Sequence, residues 1–135
     1  PLALFGDFNV ALDPRDVHAP AQWEGEVLFH PDARRGVERL LAWGLADSLR
    51  LHTQEAGLYS WWDYRLLAFP KNKGLRIDHI FLTQPLVPRC TGVRIDREER
   101  KGQQPSDHAP VIAELRPVGG RCPRSTHPAD SCVIL

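Results

Sequence analysis

The stretch Leu2-Ala3-Leu4-Phe5-Gly6-Asp7-Phe8-Asn9-Val10 (residues 2–10) runs from an apolar segment straight into a polar turn. It reads as a buried strand that ends in a loop. Gly6 permits a tight turn of the backbone, and Phe8 can point back to the core. Asp7 and Asn9 then project to the same side, because side chains two apart share a face in extended chain. A carboxylate and an amide so placed can align a water molecule and hydrogen-bond a phosphate oxygen. The local alternative is a strand-ending turn, where Gly, Asp and Asn are common for backbone reasons alone. This motif by itself does not choose between the two.

Two later segments repeat the arrangement. Arg76-Ile77-Asp78-His79 heads the apolar run Ile80-Phe81-Leu82. An Asp at the start of a buried strand is costly without a partner. That partner is either Arg76 or a backbone amide, or else a distant His whose ring the carboxylate orients. His79 itself reads as a packing or surface residue. Ser106-Asp107-His108 precedes Ala109-Pro110-Val111, and Pro110 biases Ala109 to extended geometry. There His108 can act near a phosphate and Asp107 near a cation, although the tripeptide alone is commonplace. Together Asp7, Asp78, Asp107, Asn9 and His108 are the groups needed to hold a divalent cation and activate water against a phosphodiester.

The aromatic segment Ser60-Trp61-Trp62-Asp63-Tyr64-Arg65 lies between the first two motifs. Alternation sends Trp61 and Trp62 to opposite faces. Either both are core residues, or one is core and the other lines a groove. Aromatic faces beside Arg65, Lys71 and Lys73 suit an unstacked or flipped nucleotide.

Around these motifs the pattern alternates strand and helix, which predicts a mixed α/β layered fold. A helix is expected over 32–43, with Pro31 in its first turn and Gly44 as its stop. Val37, Leu40, Leu41 and Trp43 would form its apolar side. Strands are expected at Tyr59–Tyr64, Leu75–Thr83 (buried on both faces), Cys90–Ile95 and Ala109–Leu115, with a short strand or helical turn over 45–51. Residues 11–22, with the turn signals of Pro14 and Pro20 and two aspartates, read as a surface loop. So do the basic segment 68–74 and the charged segment 97–104.

The seventeen basic and seventeen acidic residues cancel, so no net positive charge advertises nucleic-acid binding. That leaves a local basic face as the only electrostatic route to it. The longest apolar runs are too short to span a bilayer, and no secretory leader is recognisable, so a cytoplasmic location is expected. Cys90, Cys122 and Cys132 have no zinc-ligand spacing. The domain is expected over 1–117, followed by a disordered tail, 118–135, rich in Gly, Pro and Ser. The tail's end, Cys132-Val133-Ile134-Leu135, fits a prenylation pattern, for which chance is the favoured explanation.

In their order, Gly-Asp-Phe-Asn, Ser-Trp-Trp-Asp-Tyr-Arg, Gly-Leu-Arg-Ile-Asp and Pro-Ser-Asp-His-Ala-Pro resemble the exonuclease III family of the endonuclease/exonuclease/phosphatase superfamily. Leu41-Ala42-Trp43-Gly44-Leu45-Ala46-Asp47 also fits, and the resemblance covers Leu4 to Arg116, the C-terminal half of such enzymes. It implies an α+β fold, part of a four-layer αββα sandwich with largely antiparallel sheets. It also implies Mg²⁺-dependent (or Mn²⁺-dependent) hydrolysis of double-stranded DNA at abasic sites and 3′ ends. On this resemblance Asp7 aligns and deprotonates water, Asn9 binds the scissile phosphate, and Asp78 orients His108. Asp107 and Asp7 lie near the metal, while Trp61 and Arg65 bind substrate. The family's principal metal-binding Glu, another Asn and a Tyr belong to an N-terminal half, so weak activity and an unpartnered sheet face are expected of these residues alone. The other readings are a phosphatase or phospholipid phosphodiesterase of the same superfamily, and a non-catalytic binding module.

Overall fold

The computed structural model describes residues 1–117 and the strand Cys132–Ile134. Its centre is the strand β3, Asp78–Thr83, which lies between β1, Ala3–Asp7, and β2, Leu45–Asp47, both antiparallel to it. The apolar run after Asp78 occupies this central place because both of its faces find partners. Ile80 and Leu82 pack against Leu86, Val111, Ala113 and Leu115, which joins the first sheet to the second. Phe81 points the other way, to Val10, Val37 and Leu45. Each such aliphatic or aromatic side chain contributes roughly 1.5–3 kcal/mol on burial.

The second sheet is built from β4, Cys90–Ile95, and β5, Val111–Leu115, again antiparallel. Cys132–Ile134 adds to the far edge of β5 as β6, with Ala113 opposite Ile134 and Leu115 opposite Cys132. The rest of the tail expected to be disordered, 118–131 and residue 135, lies outside the described residues. The short helix α1, Pro20–Trp23, precedes the longer helix α2, Pro31–Ala42. The His30 ring nitrogen accepts the Asp32 N–H and caps α2, with Pro31 in the first turn. Val37 and Leu41 pack on the first sheet. Helix, first sheet and second sheet thus stack as successive layers of an α+β sandwich with antiparallel sheets. No helix of the described residues is long and apolar enough to cross a membrane.

Three local expectations are corrected. Tyr59–Tyr64 is not a strand. The N–H groups of both Ser60 and Trp61 donate to the Leu75 carbonyl, while that of Trp62 turns to the Asp107 carbonyl, so no single ladder can propagate. Residues 11–22 are not wholly a surface loop: Ala11, Asp16 and Val17 are buried. Burial of Asp16 is tolerated because Arg76 and Arg50 both pair with it. On α2, Trp43 falls beyond the last turn and is exposed, as is Leu40, so the apolar side is narrower than its composition suggests.

β1 has a partner on one edge only among the described residues, and Leu2 and Phe5 beside that free edge are exposed. The unpartnered surface expected from the resemblance would lie here.

Candidate active site

The pairing of β1 with β3 sets Asp7 directly opposite Asp78 at the end of the ladder. Like charges directly across a strand pair repel, so this arrangement needs a compensating group. His108 supplies one: its Nδ1 lies 2.9 Å from Asp78 Oδ2, and its Nε2 lies 3.9 Å from Asp7 Oδ2. Of the alternatives open for Asp78, the structure selects the distant histidine. Arg76 turns instead to Asp16 and Asp47.

Burial pushes the Asp78 carboxyl above the ordinary range; hydrogen bonds from Ser60 and His108 only partly offset this. Asn9 adopts the left-handed backbone region, which asparagine tolerates, and folds back on Asp7. Its backbone N–H donates to Asp7 Oδ1 at 2.8 Å and its side-chain amide to Oδ2 at 3.2 Å. The carboxylate and amide are therefore one unit.

Of the two tryptophans, Trp62 is core, packed edge-on against Phe69, and Trp61 is half-buried at the site. The Trp61 indole N–H donates to Asp107 Oδ2 at 2.9 Å. Asp107 therefore stands apart from the group formed by Asp7, Asp78 and His108, whose ligand atoms lie within 4.8 Å of one another. That group suits a hard divalent cation, since carboxylate oxygens are the ligands Mg²⁺ and Mn²⁺ prefer. Arg65 is 83% exposed and forms a forked pair with Asp63, which holds the Asp63 carboxyl down at about 2. An open cleft of about 480 Å³ adjoins the site, with Phe5, Asp78, Glu99, Ser106, His108 and Pro110 in its lining.

His79 is buried, stacked on Phe81, with Nε2 2.8 Å from the Val10 carbonyl oxygen. It is a packing residue of the strand behind the site. Sequence reasoning passed over three supporting groups. Ser60 is buried beside Asp78. Arg100, also buried, donates to the Ser106 and Trp62 carbonyls and lies over the aromatic rings of Trp62, Tyr64 and Phe69. The third is the network of Asp16, Asp47, Arg50 and Arg76. In sequence Arg100 sits in a run of exposed charges, and nothing there distinguishes it from Arg97 or Lys101.

The two-sheet α+β sandwich thus carries an Asp–His pair and a facing carboxylate at one end of its strands. Residues 1–108 match the Endonuclease/Exonuclease/phosphatase family. The chain belongs to that family. It is 38% identical over 123 residues to the exodeoxyribonuclease III of Haemophilus influenzae, covering 86% of this chain and 46% of that protein. Among solved structures, a Neisseria 3′ phosphatase bound to a product DNA hairpin superposes with a TM-score of 0.82 at 40% identity, over 84% of this chain and 44% of the other. An AP endonuclease from Archaeoglobus fulgidus superposes at 0.80, with 40% identity and the same coverage. The chain spans about half the length of these relatives.

Proposed function

We propose that this chain carries the water-activating and phosphate-binding part of a metal-dependent DNA phosphodiester hydrolase of exonuclease III type. Abasic sites and 3′ ends of double-stranded DNA are its targets. The observation that carries this reading is His108 held at Nδ1 by Asp78, with its other nitrogen toward Asp7.

In this reading Asp7 accepts a proton from the attacking water, whose oxygen bonds to phosphorus as the leaving O3′ departs on the opposite side. Asn9 steers that water and grips a phosphate oxygen through its amide. Asp78 fixes the ring of His108, so that Nε2 faces the phosphoryl oxygens as charge builds there. Asp7 would lend a carboxylate oxygen to Mg²⁺ or Mn²⁺, with Asp107 as a neighbour. When bound, the ion polarises the phosphate and stabilises the leaving oxygen. Trp61 offers an aromatic wall to an extrahelical sugar, and Arg65 a charge to the backbone.

Because the chain spans about half of its relatives, we infer that full turnover requires residues outside it, a principal metal-binding carboxylate among them. A second reading is removal of a 3′ phosphate from DNA, favoured by the similar structure that is named a 3′ phosphatase.

The test is an assay with an abasic-site duplex and a 3′-phosphorylated duplex, titrated with Mg²⁺. Asp7→Asn and His108→Asn are each expected to lower turnover by about 10²–10⁴-fold, the range of a positioned acid or base. Near-normal rates in Asp7→Asn would sink the assignment. DNA binding without metal-dependent cleavage, even with the missing carboxylate supplied by a relative's N-terminal half, would leave only a binding module.

A further inference from the structure

Ser60 is fully buried, and its hydroxyl oxygen accepts two backbone N–H groups, those of Ile77 and Asp78, each at 3.1 Å. These amides sit where β3 begins, and the Ile77 carbonyl in turn accepts the Phe8 N–H beside Asp7. The main chain of Ser60 reaches the other partner. Its carbonyl accepts the Ala109 N–H at 2.7 Å, directly after His108. The neighbouring N–H of Trp62 donates to the Asp107 carbonyl at 3.0 Å, and Trp61 forms isolated bridges to both Leu75 and His108.

Asp78 and His108 are 30 residues apart and are carried by different segments. Ser60 is bonded to Asp78 through its side chain and to Ala109, the residue next to His108, through its backbone. Both lone pairs of its oxygen are occupied by amides, which leaves the hydroxyl proton free to donate. A serine that merely satisfied a core position would need only one of these bonds.

We propose that Ser60 is a positioning residue that sets the Asp78–His108 hydrogen bond by tying the start of β3 to the segment behind His108. This rests on the reading of Asp78 and His108 as a functional pair. Removing the hydroxyl releases the amides of Ile77 and Asp78, and the carboxylate loses its register against the imidazole.

The test reads that hydrogen bond directly, without DNA or metal. In the full chain the His108 Nδ1 proton is expected to give a downfield, exchange-protected NMR resonance, assigned by its absence from His108→Asn. Ser60→Ala is expected to broaden or abolish it, and Ser60→Thr, which keeps the hydroxyl, to restore it. Ser60→Cys has nearly the same volume but a poor acceptor, and is expected to behave like Ser60→Ala should the latter not fold. An unchanged resonance in either folded variant overturns the proposal. Unfolding of both, with Ser60→Thr folded, would make Ser60 a stability residue and equally overturn it. Failure of the nuclease assay would count against the function proposed above and leave this readout standing.

Discussion

Asp7 and Asp78 are direct cross-strand partners at the end of the β1–β3 ladder, and His108 contacts both carboxylates. Two acids directly opposite each other repel, and that repulsion works against folding. Burial raises the Asp78 carboxyl and the charge on Asp7 adds to that, so a cation bound at this point would relieve the repulsion.

Mg²⁺ or Mn²⁺ should therefore stabilise the fold. At a hundredfold excess over its dissociation constant, a single bound ion adds about 2.7 kcal/mol. Differential scanning calorimetry with and without metal measures this. Asp7→Asn should melt no lower than the parent in EDTA and should lose most of the metal-dependent rise. An equal rise in both proteins would place the ion elsewhere.

Acid should destabilise the chain through His79. Burial, aided by the charge of Arg76, lowers its pKa to about 4 from an ordinary 6.5. The folded state thus disfavours the proton. The stability from a neutral His79 is complete above pH 6.5 and is lost as the pH falls toward 4. The loss is on the order of 3 kcal/mol across that window. Urea unfolding at pH 7 and pH 4.5 should show a smaller drop in His79→Gln than in the parent; parallel drops would acquit His79.

Arg76 is almost completely buried, and its guanidinium donates to both Asp16 and Asp47. Burial pushes the Asp47 carboxyl up, yet the hydrogen bonds and charge of Arg76 outweigh it and hold that group below the usual range. Arg76→Leu strands these acids and should cost about 3–5 kcal/mol, with Arg50 left to serve Asp16. Arg76→Lys should recover little of this, because an ammonium cannot make two forked pairs. Denaturant titration decides it, and a loss below about 1 kcal/mol for Arg76→Leu would contradict the network's importance.

Gly74 has no room for a methyl group: a Cβ there would lie 2.6 Å from the Trp61 carbonyl oxygen and from the Trp62 indole nitrogen. Both are parts of the packed segment beside the site. Gly74→Ala should destabilise by roughly 1–3 kcal/mol. It should also alter the near-ultraviolet circular dichroism of the tryptophans. A spectrum and stability matching the parent would mean that the loop yields freely.

Much of the candidate site was legible because its polar residues interrupt apolar runs. Asp7, Asp78 and His108 were each marked by a carboxylate or imidazole at a strand end, where burial makes such a group expensive without a purpose. Asn9 was marked by its spacing from Asp7. The aromatic segment misled, since Tyr59–Tyr64 has the composition of a strand but divides its hydrogen bonds between Leu75 and Asp107. Asp16 misled for a related reason: its loop looks polar, and the two arginines that allow its burial lie 34 and 60 residues away.

The amino-acid sequence by itself determined the strands that flank the site, the helix α2 and the residue types available for chemistry. Those follow from local periodicity, caps and turn residues, which act over a few positions. Only the tertiary structure decided which partner each polar group took. Asp78 chose His108 over Arg76, Asp107 went to Trp61, and Ser60 came to rest beneath the Asp–His pair. Such choices depend on burial and on segments far apart in the chain, where the energy of leaving one polar group unpaired selects among several sequence-compatible pairings.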